Sequence, residues 1–177
     1  LLADNRAIDL TCVEPNKYYI LQAWQNFHNA ALLENDKVKV NILPTTIEGF
    51  NSPGDKKYDL ILLSHVLYYP ENKEEAILST MRLLNTKGTA LIFQQAPGGL
   101  NEIQRLFSER ANIPKRCIFN CYQVEQILSK YKSFYNYKTT LFSQYLDVSD
   151  VVESKSSGTI NETTMALLSF ICEQDFK

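Results

Sequence analysis

An apolar run, Leu60-Ile61-Leu62-Leu63, sits between an entering Tyr58-Asp59 and a polar, aromatic exit, Ser64-His65-Val66-Leu67-Tyr68-Tyr69. A run of strand length without alternation predicts a strand buried on both faces, and such strands belong to parallel sheets covered by helices. Pro70 prevents the strand from continuing. The groups just beyond it then stand on the rim of a sheet, where ligands bind in open α/β folds.

The flanking sequence repeats the theme. Ile8 to Val13 reads as a strand stopped by Glu14-Pro15, and Ile20, Trp24, Phe27 and Ala31 recur at the spacing of an amphipathic helix from about Asn16 to Glu34. Val38 to Leu43 is a second strand, followed by Pro44 and a loop from Thr45 to Lys57. Beyond the Tyr58 strand, Glu74 to Asn85 reads as a helix carrying Ile77, Met81 and Leu84 on one face. Lys87-Gly88 is a turn, and Thr89 to Gln94 a fourth strand. Asn101 is a cap for a helix bearing Ile103, Leu106 and Phe107, and Asn120 to Tyr131 forms another with Val124, Ile127 and Leu128 inward. Tyr135 to Tyr145 and Thr163 to Cys172 have strand composition, separated by a Ser- and Gly-containing loop from Glu153 to Glu162.

Strands alternating with helices imply parallel βαβ units with right-handed crossovers. Two late strands joined by a loop imply an antiparallel hairpin at one edge. The expected fold is therefore an α/β, doubly wound, mostly parallel sheet with a C-terminal antiparallel hairpin, as a single domain over all 177 residues.

A formal net charge of −2, with Lys and Arg scattered, gives no broad attraction to nucleic acid or to an anionic membrane. Lys56-Lys57 and Lys115-Arg116 are too short for a polyanion track. No apolar segment approaches the roughly 20 residues that span a bilayer. Cys12, Cys117, Cys121 and Cys172 form no CxxC pair and have no clustered His ligands, which argues against a disulfide scaffold and a zinc site. They read as free thiols of a cytoplasmic protein. The chain begins Leu1-Leu2 rather than with Met, and reads as a fragment or a processed form.

Three strand ends carry candidate site groups: Glu14, Ser64 to Tyr69, and Gln94-Gln95. A carboxylate such as Glu14 can accept two hydrogen bonds from a ribose diol, or it can be a solvated group at a strand end. His65 can orient an amine or take its proton, since an imidazole titrates near neutrality; the alternative is a hydrogen-bonded histidine opening a loop. Tyr68 and Tyr69 offer ring faces that attract cations, set against ordinary aromatic packing. Signatures of acyl transfer, metal hydrolysis and P-loop or dinucleotide binding (G-x-S-x-G, H-E-x-x-H, Walker A, G-x-G-x-x-G) are missing.

Cys12-Val13-Glu14-Pro15-Asn16, Tyr58-Asp59-Leu60-Ile61 through His65-Val66-Leu67-Tyr68-Tyr69, and Leu83-Leu84-Asn85-Thr86-Lys87-Gly88-Thr89 together resemble class I S-adenosylmethionine-dependent methyltransferases. Within that superfamily the chain is most similar to the histamine N-methyltransferases. The finer likeness rests on Val13-Glu14-Pro15, Leu67-Tyr68-Tyr69, Leu146-Asp147-Val148-Ser149-Asp150 and Leu168-Ser169-Phe170-Ile171. The resemblance implies a Rossmann-like methyltransferase fold whose first strand and glycine-rich loop are missing ahead of Leu1. It implies that Glu14 binds the cofactor ribose, that Thr46 and Ile47 border the adenine, and that Ser64 contacts the cofactor. It further implies that His65, Tyr68, Tyr69, Leu100 and Gln104 line an amine pocket. His65 stands where those enzymes carry glutamine, and Leu100 and Gln104 where they carry aromatic residues.

The activity so implied is in-line methyl transfer from S-adenosylmethionine to the unprotonated nitrogen of a small, histamine-like amine, with His65 accepting the proton. Two other readings stand beside it. One is a truncated or non-catalytic relative with impaired cofactor binding; the other is a dinucleotide-dependent oxidoreductase using Glu14 on a ribose.

Overall fold

Aliphatic and β-branched residues form two matched strands, β1 (Ile8–Val13) and β2 (Val38–Leu43). They pair in parallel, with Ile8 opposite Val38 and Val13 opposite Leu43. The computed structural model describes residues 6–111, 119–143, 149, 162 and 164–166. These fall in two compact units, Leu1–Ile61 with Pro70–Thr89 and Leu62–Tyr69 with Ala90–Lys177.

In the first unit, β1 and β2 are joined by helix α1 (Lys17–Asn29), giving the expected βαβ unit. Asn16 caps the helix, its side chain accepting from the Tyr18 N–H, so the amino end lies where the sequence predicts. The carboxyl end comes sooner than the predicted Glu34. Ala31 adopts φ 52, a left-handed conformation that ends the helical path, and its N–H bonds back to the His28 carbonyl. Of the predicted inward stripe, Ile20 and Phe27 are half-buried, Trp24 is more open, and Ala31 lies exposed beyond the helix.

Helix α2 (Lys73–Arg82) is the better-covered helix of this unit. Asn72 accepts from the Glu75 N–H, while Glu74 and Glu75 in the first turn and Arg82 in the last complement the helix dipole. Ala76, Ile77, Thr80 and Met81 are buried on one face, and the Thr80 hydroxyl is satisfied by the Ala76 carbonyl at 2.8 Å. A residue pattern with period near 3.6 is thus read correctly up to Met81, but Leu84 belongs to the next strand.

Strands β3 (Tyr58–Ser64) and β4 (Leu84–Phe93) form the second two-stranded sheet. Strand β4 begins five residues before the predicted Thr89 and absorbs the Lys87-Gly88 turn. The Tyr58 N–H bonds to the Leu83 carbonyl, and a side chain on Gly88 would fall 2.7 Å from the Tyr58 carbonyl oxygen and 3.1 Å from Asn85 backbone atoms. Gly88 is therefore a point inside the strand where another backbone approaches too closely for a side chain.

The expectation of a third strand buried on both faces is overturned. Among the residues of β3 only Leu63 is buried; Leu60 is 52% and Leu62 59% exposed. Burial of such side chains requires helices packed on both faces of the sheet. The described strands form two pairs, β1 with β2 and β3 with β4.

In the second unit, α3 (Leu100–Ala111) and α4 (Cys121–Ser129) accompany the ends of β3 and β4. Asn120 and Gln123 make a reciprocal capping box at the start of α4, and Val124, Ile127 and Leu128 are buried as predicted. Asn101 is not a cap; it lies in the first turn of α3, its amide donating to the Ala96 carbonyl. The predicted C-terminal hairpin does not form among the described residues. Residues 135–143 carry no strand, and Thr164, Met165 and Ala166 are helical. Aromatic and β-branched composition favours a strand only where a neighbour completes the ladder, and Leu141 and Phe142 are exposed. The remainder of that hairpin lies outside the described residues, as do Cys117 and Cys172; Cys12 and Cys121 are free thiols.

Candidate active site

The carboxyl ends of β1 and β2 bring three predicted residues to one edge of the first unit. The Glu14 N–H donates to the Leu43 carbonyl at 3.1 Å, so Glu14 and the segment after Leu43 leave the sheet at the same level. Glu14 Oε1 accepts from the Asn16 N–H at 2.7 Å, which folds the side chain over the start of α1. A carboxylate offers about four acceptor positions, so this bond orients Glu14 without exhausting it. Thr46 is exposed and its hydroxyl accepts from the Gly49 N–H at 3.2 Å, closing the turn that follows β2; Ile47 is half-buried.

The second unit holds the remaining predicted groups. Ser64 ends β3 in an exposed position. The His65 N–H donates to the Phe93 carbonyl at 3.0 Å, carrying the pairing one residue past the strand. His65 has φ 52, the left-handed region in which histidine is enriched over most residues, and this turns the chain sharply away from the sheet. A turn closed by the Tyr69 N–H on the Val66 carbonyl follows, anchored by Leu67, whose side chain has no solvent exposure.

That turn assembles the aromatic groups. His65 Nδ1 lies 3.1 Å from the Tyr68 hydroxyl, with the two rings near parallel at 15° and 6.3 Å between centroids. Tyr69 meets Tyr68 edge to face at 6.4 Å and is 78% exposed. One imidazole nitrogen is thus engaged by a phenol, and the other is left for a further partner. Exposed ring faces beside it suit a cation. Leu100 and Gln104 lie four residues apart in sequence in the first half of α3. Gln104 is half-buried, and the Leu100 side chain lies outside the described residues.

Asn101 is the residue that sequence reasoning assigned wrongly. An asparagine near a helix start reads as a cap, but this one turns its amide nitrogen back to the Ala96 carbonyl at 2.9 Å. Its oxygen is left buried without a donor, as is that of Gln94.

No family model and no curated protein matches this chain. Among solved structures it is similar to PKMT2 from Rickettsia typhi, with 17% sequence identity and a TM-score of 0.47 over 94% of this chain and 30% of that one. It is likewise similar to PKMT2 from Rickettsia typhi in complex with AdoHcy, at 18% identity and a TM-score of 0.45 over 92% of this chain. The chain spans 30% of the length of either solved chain.

Proposed function

We propose that this chain is an S-adenosylmethionine-dependent N-methyltransferase domain acting on a small amine. The observation that carries the reading is the cluster of His65, Tyr68 and Tyr69 on the turn directly after β3. Its sequence context, with the Glu14 and Asp59 strands, is the part of the chain that most resembles class I methyltransferases.

Glu14, oriented at the end of β1 with acceptor capacity remaining, is assigned to the ribose diol of the cofactor. Thr46, Ile47 and Ser64 are the other cofactor contacts, half-buried Ile47 offering apolar surface to a purine ring. When bound, the cofactor supplies an electrophilic sulfonium methyl group. The chain's own contribution is positioning: aligning two bound reactants can lower a barrier by roughly 7 to 11 kcal/mol. His65 takes the proton released by the amine nitrogen, while Tyr68 and Tyr69 flank the positive charge and exclude water. Leu100 and Gln104 extend the amine-facing surface.

Division of the described strands into two separate pairs favours a second reading, a methyltransferase-like domain that binds cofactor poorly. Titration calorimetry with S-adenosylmethionine separates the two. Binding that weakens at least tenfold in Glu14→Ala supports the enzyme; no heat at millimolar cofactor defeats it.

A further inference from the structure

Among the described residues of the second unit, two side-chain oxygens are buried without a donor, Gln94 Oε1 and Asn101 Oδ1. Their orientation is not interchangeable with that of the amide nitrogens. Gln94 Nε2 donates to the Phe119 carbonyl at 2.6 Å and Asn101 Nδ2 to the Ala96 carbonyl at 2.9 Å. Carbonyl oxygens only accept, so flipping either amide would break these bonds and face oxygen with oxygen. Both side chains are thereby held with their acceptors unfilled. An unfilled buried acceptor costs about 1 to 3 kcal/mol, and these two stand near either end of the loop between β4 and α3.

That loop is tied down on both sides. The Cys121 N–H bonds to the Gln95 carbonyl at 2.8 Å, and the Asn101 N–H to that of Gly98 at 3.2 Å. Asn101 is only 7% exposed. Gln94 directly follows Phe93, whose carbonyl receives the His65 N–H. Gln94 and His65 therefore leave neighbouring strands at the same level, about 5 Å apart by ordinary strand spacing.

We infer that Gln94 and Asn101 form a subsite for an N–H donor, and that the amine substrate carries a second nitrogen-bound hydrogen for it. The assignment rests on the methyltransferase reading, to which it adds a specificity determinant: the reacting nitrogen faces His65, and the non-reacting N–H group satisfies the two carboxamide oxygens. Neutral acceptors without a neighbouring donor select N–H over carbonyl or carboxylate groups, because an acceptor placed there would leave both oxygens unpaired and opposed. Entry requires the loop to lift, and Gly98 and Gly99, at φ 97 and 51, are the residues able to change conformation most freely.

Two probes of equal charge test the subsite by calorimetry without cofactor: β-alaninamide, whose carboxamide has two N–H donors, and its N,N-dimethylamide, which keeps the same ammonium group but has no N–H on the amide nitrogen. The primary amide is expected to bind at least tenfold more tightly to the wild-type chain, with that ratio falling toward one in Asn101→Leu and in Gln94→Leu. Equal affinity of the two probes for the wild type overturns the assignment, as does a ratio unchanged in both variants. If Asn101→Leu fails to fold, Gln94→Leu alone decides. Discrimination that persists in a chain without methyl transfer leaves the subsite standing and sinks the methyltransferase reading; methyl transfer without discrimination does the reverse.

Discussion

His65 and Tyr68 are joined twice, by a 3.1 Å contact from Nδ1 to the phenol oxygen and by near-parallel stacking of their rings. Three residues apart on one turn, they are held in register by the buried Leu67 between them. Tyr68→Phe keeps the stacking and removes the hydrogen bond. Under the proposed function, the expected result is an amine methylation rate lower by about three- to tenfold, the worth of one hydrogen bond, with cofactor affinity unchanged. The ring ¹⁵N shifts of His65 should move as well. An unaltered rate and unaltered shifts would remove Tyr68 from the proposed proton path.

Gly88 has no room for a side chain. A β-carbon there would stand 2.7 Å from the Tyr58 carbonyl oxygen, a backbone atom that cannot step aside alone. Gly88→Ala is therefore expected to destabilise by about 1 to 3 kcal/mol, the usual cost of forced backbone shifts. Chemical denaturation reads it as a lower midpoint. A midpoint equal to wild type would show that the backbone around Gly88 is pliable.

Legibility of the chain followed the distance over which each signal acts. Strands β1 and β2 fall where Ile8 to Val13 and Val38 to Leu43 predict, because their aliphatic pattern and the stops at Pro15 and Pro44 are local. Asn120 was readable as a helix start for the same reason. The exposure of Leu60 and Leu62 was not, since an apolar run records which side chains favour burial and says nothing of which neighbours are present to bury them. At residues 135–143, the described part of the strand predicted over Tyr135 to Tyr145, strand composition likewise finds no ladder partner among the described residues. His65, Tyr68 and Tyr69 stand just beyond the strand end, as Pro70 and the end of the apolar run predict, whereas the amide orientations of Gln94 and Asn101 depend on Phe119 and on a loop carbonyl that no local pattern announces.

Asn120 closes the amino end of α4 with bonds from the Tyr122 and Gln123 N–H groups at 3.0 and 3.3 Å, while Gln123 Oε1 accepts from the Asn120 N–H at 2.9 Å. Removing a cap of this kind typically costs about 1 kcal/mol. Asn120→Ala should lower stability by about that amount and Asn120→Ser by much less, since serine preserves the acceptor. Equal losses in both variants would assign the effect to packing instead.

Cys12 and Asp9 share β1 and make opposite pH statements. Burial raises the Cys12 thiol above its usual value, so the thiolate is scarce and alkylation by iodoacetamide at pH 8 should run slower in the folded chain than in the denatured one. Equal rates would mean that the strand opens freely.

For Asp9 the hydrogen bond from Lys56, at 2.8 Å, together with the charges of Lys56 and Lys39, holds the carboxyl below its ordinary value. The folded chain thus releases this proton more readily than the unfolded chain. Stability from the pair is present above the ordinary carboxylate pKa of about 4 and is lost as pH falls through the lower folded value. Both side chains are substantially solvated, Lys56 34% and Asp9 45% exposed, so the contribution belongs to the surface-pair range of about 0.2 to 1 kcal/mol. Asp9→Asn mimics the protonated state, which makes the comparison selective. Wild type should exceed this variant in unfolding free energy at pH 7, and the difference should shrink steadily below pH 4. Added salt at pH 7 should shrink it too, because screening acts on exposed charges. A gap that is the same at pH 7 and pH 2 would assign the effect to the 3.4 Å contact from Asn41 Nδ2 to Asp9 rather than to charge.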